Sequence, residues 1–157
     1  MSVKKKLLIT MVMVMGVMIA TVVTVGASSA RVGPYEGVFV GTIYGDGGSS
    51  APVTLDLTHR GDDVEGTVEI GDGLFVNGRR CGSGYVPAGV QTAVGNTNSN
   101  PNTLTADAAF NVSGLKIGLD LDGTLSADGD DLTIEAKIDL PWLCGRDPVV
   151  TGELNKR

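Results

Sequence analysis

Residues 115–140 read LKIGLDLDGTLSADGDDLTIEAKIDL, and this stretch carries the clearest information on the fold. Apolar side chains alternate with charged or small ones in two runs, from Leu115 to Leu125 and from Leu132 to Leu140. A period of two indicates antiparallel strands that have one face in a core and the other in water. Asp128-Gly129-Asp130-Asp131 separates the runs, and an Asp-Gly pair favours a tight hairpin turn. The stretch therefore predicts two paired strands.

The same alternation continues on the N-terminal side of this hairpin, and no window after Ala30 has a helical period. Turn-forming clusters of Gly, Asp, Asn and Ser divide the sequence into pieces of strand length, and residues 95–102 form the longest polar loop. The predicted strands are 35–44, 52–59, 63–70, 74–79, 85–94, 103–112, 114–126, 132–140 and 149–154.

Eight or nine strands joined by near-sequential hairpins predict an all-β antiparallel meander. Because an open meander leaves unpaired edges, we expect it to close as a small β-barrel of lipocalin-like shape, or else to pack as a β-sandwich. Gly37-Val38-Phe39 resembles the Gly-x-Trp opening strand of lipocalins, with Phe in the place of Trp. This resemblance covers three residues and implies only the barrel shape.

The N-terminus differs from the rest of the chain. Three lysines at positions 4–6 precede an uncharged apolar stretch, residues 7–26, and the small residues 27–30 follow it. This order is typical of a secretory signal peptide, so we predict a signal over residues 1–30 and an exported domain over residues 31–157, secreted or held in the periplasm or cell envelope. The alternative is an uncleaved membrane anchor, since residues 7–26 are long enough to cross a bilayer.

The charge of the chain limits its partners. There are 18 acidic residues against 12 basic ones, and the net charge is -6. Loss of residues 1–30, which hold three lysines and no acidic residue, would lower it to -9. Such a surface repels phosphate backbones and anionic headgroups, so we expect no nucleic-acid partner, and membrane contact only through residues 7–26 if the signal is retained.

Cys81 and Cys144 both lie in the predicted exported domain, and an even cysteine count in an oxidising compartment favours a disulfide over two free thiols. Two cysteines and one distant histidine are too few for a structural zinc site, and we expect no metal and no cofactor. A bond between the cysteines would bring Arg79 and Arg80 near Arg146. The three arginines are a candidate patch for a small anion or an acidic partner loop.

Sequence motifs give no convincing catalytic set. Residues 119–125, LDLDGTL, resemble the first motif of the haloacid dehalogenase superfamily, in which the first Asp is the phosphoryl-accepting nucleophile. That chemistry requires a parallel strand that feeds a helical domain, whereas the residues that follow here read as strands. His59 is the sole histidine, and Ser83 lacks the nucleophile-elbow pattern that a Ser-His-Asp enzyme of the α/β-hydrolase type needs. We therefore predict a non-enzymatic protein.

Two functions fit these observations. The first is the binding of a small apolar ligand or a partner, for which the most suitable lining residues are aromatic: Phe39, Phe75, Phe110 and Trp142. The second is a structural or interaction module of the cell envelope, anchored by an uncleaved N-terminal helix. An internal cavity larger than about 300 Å³ would favour the first.

Overall fold

A computed structural model describes residues 32–112 and 115–157 of this chain. The predicted signal peptide, residues 1–30, lies outside the described residues, as does the anchor that is its alternative. The described part contains ten strands: β1 (Gly37–Tyr44), β2 (Ser50–Arg60), β3 (Asp63–Ile70), β4 (Phe75–Asn77), β5 (Ser83–Tyr85), β6 (Gly89–Asn96), β7 (Thr103–Val112), β8 (Leu115–Leu125), β9 (Asp131–Asp139) and β10 (Val149–Lys156). No helix in the described ranges is long and apolar enough to cross a membrane.

Eight of the strands form a closed antiparallel barrel in the order β1-β2-β3-β6-β7-β8-β9-β10, and β10 pairs with β1 to complete the circle. Strands β4 and β5 form a separate two-stranded sheet between β3 and β6. The predicted all-β meander closed as a barrel is therefore confirmed, and the sandwich alternative is wrong. Closure pairs Phe39 of β1 with Lys156 of β10, so the barrel has no free edge.

The predicted strands match the observed ones closely, with one exception. The run 85–94 is two strands, β5 and β6, that belong to different sheets. Pro87 lies between them and has no backbone N–H to donate to a sheet, so the ladder stops there. The predicted polar loop 95–102 is shorter than expected, because β6 extends to Asn96 and Thr97 is buried.

Inward and outward positions alternate along the barrel strands as the sequence pattern requires. On β9, Leu132, Ile134, Ala136 and Ile138 are buried, whereas the residues between them are exposed. Each fully buried Leu or Ile side chain contributes roughly 1.5–3 kcal/mol relative to exposure. This core keeps the strands in one register, since a shift by one residue would turn every apolar side chain outward.

Glycine allows the strands to bend around the barrel at inward-facing positions. A Cβ on Gly152 would lie 2.8 Å from Cγ2 of Ile43, and one on Gly66 would overlap the backbone carbonyl of Asp56. These two positions leave no room for a side chain. Inward glycines of this kind let a closed sheet curve sharply.

One end of the barrel is filled by the chain's own side chains, and we call it the plugged end. It lies where β2 ends and β3 begins. Residues 32–36 cross this end, and Tyr35 and Phe39 have no exposed surface. Nδ1 of the buried His59 accepts a hydrogen bond from the backbone N–H of Tyr35 at 3.3 Å, so Nε2 carries the proton that it donates to the Gly61 carbonyl at 2.9 Å. Both ring nitrogens are thus used in closing this end.

Candidate ligand cavity and its lid

The opposite end of the barrel is covered by a lid, which we define as residues 71–88 and 140–148. The first segment carries the β4–β5 hairpin, and the second is the connection from β9 to β10. Ser49 holds the hairpin to the barrel rim: its Oγ accepts from the Phe75 N–H at 2.9 Å and donates to the Phe75 carbonyl at 3.1 Å. The Asn77 N–H donates to the Asp46 carboxylate at 2.7 Å. The lid is therefore fixed to the rim by polar contacts and by Leu74, which is 2% exposed and belongs to the hydrophobic core.

A disulfide between Cys81 and Cys144 joins the two lid segments. The Cα atoms of the two cysteines are 4.9 Å apart, although 63 positions separate them in sequence. This confirms the disulfide predicted from the sequence. Such a bond is compatible with an oxidising compartment, and it links the segment that follows β3 to the one that follows β9.

A cavity of about 460 Å³ lies between the lid and the middle of the barrel. The lid covers it with Leu74, Val76, Gly78, Cys81, Gly82, Ser83, Gly84, Val86, Leu140, Pro141 and Cys144. The wall that the barrel strands form is apolar and consists of Ile43, Val53, Leu55, Val68, Ile70, Phe110, Ile117, Leu119, Leu121, Ile134, Ala136, Ile138 and Val150. Among the described residues, no charged side chain belongs to this wall. An eight-stranded barrel has an interior that side chains just fill or that holds one small ligand, and this end has space for the ligand.

The four aromatic residues predicted to line a ligand site lie in different places. Phe110 belongs to the cavity wall. Phe39 is buried at the plugged end, Phe75 packs edge-on against Tyr85 at 5.4 Å between ring centroids, and Trp142 is 86% exposed on the lid. The structure therefore brings none of the other three to the cavity with Phe110. Aliphatic residues of the strands form most of the wall, and no signal in the sequence separates them from other core residues.

The three predicted patch arginines all lie on the lid, beside the disulfide. Arg79 and Arg146 line a crevice of about 240 Å³, whose other walls include Asp46 and Asp147, whereas Arg80 is exposed outside it. Both carboxylates have donors of their own. Asp46 accepts from Asn77, and Asp147 accepts from the Leu140 N–H at 3.1 Å and pairs with Lys137 at 3.2 Å.

These contacts lower the pKa of Asp147, first through the Leu140 N–H and then through Lys137. Within the described ranges, neither Arg79 nor Arg146 has a carboxylate at ion-pairing distance. The crevice therefore has two guanidinium groups available to an anion.

Arg79 has a backbone conformation that is uncommon for a residue with a side chain. Its φ is +52°, and its N–H donates to the Asn77 side-chain oxygen at 2.9 Å. The left-handed region costs a non-glycine residue roughly 1–2 kcal/mol. An arginine is thus held where glycine would fit with less strain, and such positions concentrate at functional sites.

The residues considered for catalysis do not converge. Ser83 lies on the lid, and His59 lies at the plugged end. Asp120 and Asp122 are exposed on the outer face of β8. In the part of the chain that the structure describes, no three His, Cys, Asp or Glu side chains form a group that could hold a metal ion.

Burial at the plugged end raises the pKa of Tyr35 to about 12, and the nearby backbone N–H of Leu125 opposes this shift. The Leu125 N–H already donates to the Asn102 carbonyl at 2.9 Å. The phenolic oxygen has no hydrogen-bond partner of its own among the described residues. The plugged end therefore contains a phenol that keeps its proton to a higher pH than an exposed tyrosine does.

Comparisons with known proteins show the fold alone. No family model matches the chain. No curated protein matches it either. Among solved structures, it is similar to a redesigned β-barrel, b11L5F_LGL (TM-score 0.53, 11% identity, 79% of this chain and 92% of that one). It is also similar to EF1p2_mFAP2b bound to DFHBI (0.54, 12%, 79% and 94%). A third similar structure is the redesigned β-barrel mFAP1 bound to DFHBI (0.52, 13%, 78% and 95%). The chain thus shares a β-barrel fold with these proteins.

Proposed function

We propose that this protein binds one small apolar ligand in the cavity beneath its lid and has no catalytic role. The observation that carries the proposal is an apolar cavity of about 460 Å³, which lies within the usual size of ligand sites. At about 30 Å³ per non-hydrogen atom, it accommodates a molecule of about fifteen such atoms. Two of the similar barrels were solved with DFHBI bound, which agrees with a barrel of this size holding a ligand.

The chemistry of the wall selects the class of ligand. A polar or charged group placed against aliphatic side chains would lose its hydrogen bonds to water, at a cost of about 1–3 kcal/mol for a neutral group and more for a charge. We therefore expect an uncharged aliphatic or aromatic compound with at most one hydrogen-bonding group.

Fluorescence titration with N-phenyl-1-naphthylamine, an uncharged aromatic probe of suitable size, tests the proposal. Emission should rise on binding to the native chain and should fall when Ala136 is replaced by Phe, because Ala136 faces the cavity. Ala136→Leu is a milder version if the first variant does not fold. Val94→Phe is the matched control, since Val94 is 59% exposed on the outer face. Equal probe binding by the native chain and both Ala136 variants, all folded, would refute the cavity site.

The proposal also includes export of the chain. We propose that residues 1–30 direct the chain across a membrane and are removed, so that the domain of residues 31–157 acts in the periplasm, the cell envelope or the medium. The disulfide supports this because such bonds persist in oxidising compartments. Native mass spectrometry of the protein from its own host would report the N-terminus, the disulfide and any retained ligand together. An intact Met1 in the membrane fraction would contradict cleavage.

A further inference from the structure

The lid exposes apolar side chains that a folded domain usually withdraws from water. Trp142 is 86% exposed, Tyr85 70% and Leu143 58%. Trp142 and Leu143 directly precede Cys144, and Tyr85 lies four residues after Cys81. The disulfide therefore gathers three large apolar side chains on the outside of one end of the barrel. Exposed apolar groups in one region indicate a surface that another molecule covers.

The lid also differs in charge from the remainder of the domain. Its two segments carry three arginines and two aspartates. The connections at the plugged end, residues 61–62, 97–102 and 126–130, carry three aspartates and neither Lys nor Arg, while Arg60, Lys156 and Arg157 lie at the strand ends beside them. The outer faces of the strands add further exposed carboxylates, among them Glu65, Glu69, Asp122 and Glu135. Of the net charge of -9 that residues 31–157 carry, the lid segments contribute +1 and the remainder contributes -10.

The crevice beside the disulfide supplies a place for an anionic group. Arg79 and Arg146 line it without an ion-pair partner among the described residues, while Asp46 and Asp147 are engaged by the backbone N–H groups of Asn77 and Leu140. A phosphate oxygen is a strong acceptor for a guanidinium group, and here it would compete with the Asp46 and Asp147 carboxylates that share the crevice. The lid thus combines an anion site with exposed aromatic and aliphatic side chains.

Contrary to the expectation drawn from the net charge, we propose that the lid docks on a membrane surface that contains anionic phospholipids. Trp142, Leu143 and Tyr85 enter the interface, where Trp and Tyr rings are preferred, and the arginines of the crevice bind a lipid phosphate. In this orientation the lid faces the bilayer, and the acidic plugged end points away from it. Docking is a separate function from ligand binding in the cavity, and it does not depend on whether the cavity is filled.

The fluorescence of Trp142 tests this directly, because it is the single tryptophan of the chain. The full chain is mixed with vesicles of phosphatidylcholine alone or of phosphatidylcholine with phosphatidylglycerol. Residues 7–26 are apolar and can insert into both kinds of vesicle, so emission from the lid is the informative signal. We expect a blue shift, and quenching by brominated lipid, only with the anionic vesicles, and we expect high salt to reverse both.

The arginines are tested by the triple variant Arg79→Gly, Arg80→Gln, Arg146→Gln. Glycine suits the positive φ at position 79, so the fold is retained. Each arginine removed should weaken binding of the lid to anionic vesicles about fivefold, and all three about a hundredfold. The matched control is Arg60→Gln with Arg157→Gln, which removes exposed charge at the plugged end and should leave the blue shift unchanged.

Three results would overturn the proposal. The first is a Trp142 emission that is the same in buffer and with both kinds of vesicle, in which case a protein would have to cover these side chains. The second is an equal blue shift in the triple variant and the native chain. The third is the same shift with glycerol phosphate alone, which would make the crevice a site for a free phosphate compound.

Discussion

The two ends of this barrel are built from the same eight strands but are closed in different ways. At the plugged end, Phe39 and His59 of the strands fill the interior together with Tyr35, which belongs to the crossing segment 32–36. At the lid end, two separate segments meet above a cavity of about 460 Å³ and are joined by a disulfide. Large side chains from the strands leave no space beneath them, whereas a covalent lid can close an end that the strands do not fill.

Breaking the covalent closure should have the greatest effect on stability. Replacing both Cys81 and Cys144 by Ala removes a constraint on a loop with a sequence separation of 63. In the chain-entropy description, this lowers the free energy of unfolding by about 4 kcal/mol. Urea unfolding measures the loss, and hydrogen exchange should show lid amides such as those of Gly82 and Val86 losing protection before those of the plugged end. A loss below about 1 kcal/mol would mean that packing alone holds the lid.

The same substitution at the two ends compares their packing. Phe39→Ala at the plugged end should cost about 4 kcal/mol, because the ring is fully buried and its loss leaves a new void. Phe110→Ala should cost only about 2 kcal/mol, since one side of its ring already faces the cavity. Denaturant unfolding of both variants measures the difference. Equal losses would show that the two ends are packed alike.

Strand positions could be predicted from the sequence because alternation and turn chemistry are local. The run 132–140 and the turn before it located the second strand of a hairpin within one residue, since each buried side chain is two positions from the next. The prediction of a single strand over 85–94 was wrong because apolar residues lie on both sides of Pro87. Their pattern does not indicate that the chain passes from one sheet to another there. Local pattern locates strands but does not assign them to sheets.

The cavity could not be predicted in this way. The position of the cavity depends on which inward side chains lie at the same height along the barrel axis. That height is set by the register between strands that are distant in sequence. Phe39 and Phe110 look alike in sequence, yet one fills the plugged end and the other borders empty space. By contrast, the sequence could place Arg79 near Arg146 from the disulfide alone, because a disulfide brings its flanking residues together whatever the register; Arg80 lies outside their crevice.

The two ends should also differ in their response to alkaline pH. Burial raises the pKa of Tyr35 to about 12 from an ordinary value of 10.0, so the folded chain keeps the phenolic proton to a higher pH than the unfolded chain does. This stabilisation is present below pH 10 and is lost as the pH rises toward 12, by an amount on the order of 2 kcal/mol.

Tyr35→Phe should abolish this loss in urea unfolding measured between about pH 9 and 12. It should also leave stability at neutral pH unchanged or raise it by about 1 kcal/mol, since the hydroxyl has no partner of its own among the described residues. Tyr85→Phe, at the exposed lid position, is the control and should keep the alkaline loss of the native chain. If Tyr35→Phe has the same pH profile as the native chain, the loss of stability at alkaline pH comes from another group.

One added methylene should produce the smallest change, and its sign should differ between the two ends. Val150→Ile extends a side chain into the cavity and should raise the free energy of unfolding by about 0.8 kcal/mol, the gain for burying one such group. Val64→Ile makes the same change at the plugged end, where Val64 is 2% exposed and packed, and should lower it by about 1 kcal/mol through crowding. Urea unfolding of the two variants side by side measures both signs.

If the two substitutions change the free energy of unfolding in the same direction, the direction itself is informative. If both substitutions stabilise the chain, the plugged end has unfilled space, and the contrast between the two ends is wrong. If both destabilise it, the cavity wall around Val150 cannot accept even one methylene. A wall that rigid could not adjust to a ligand that must fit itself among these side chains, so this result would also count against binding in the cavity.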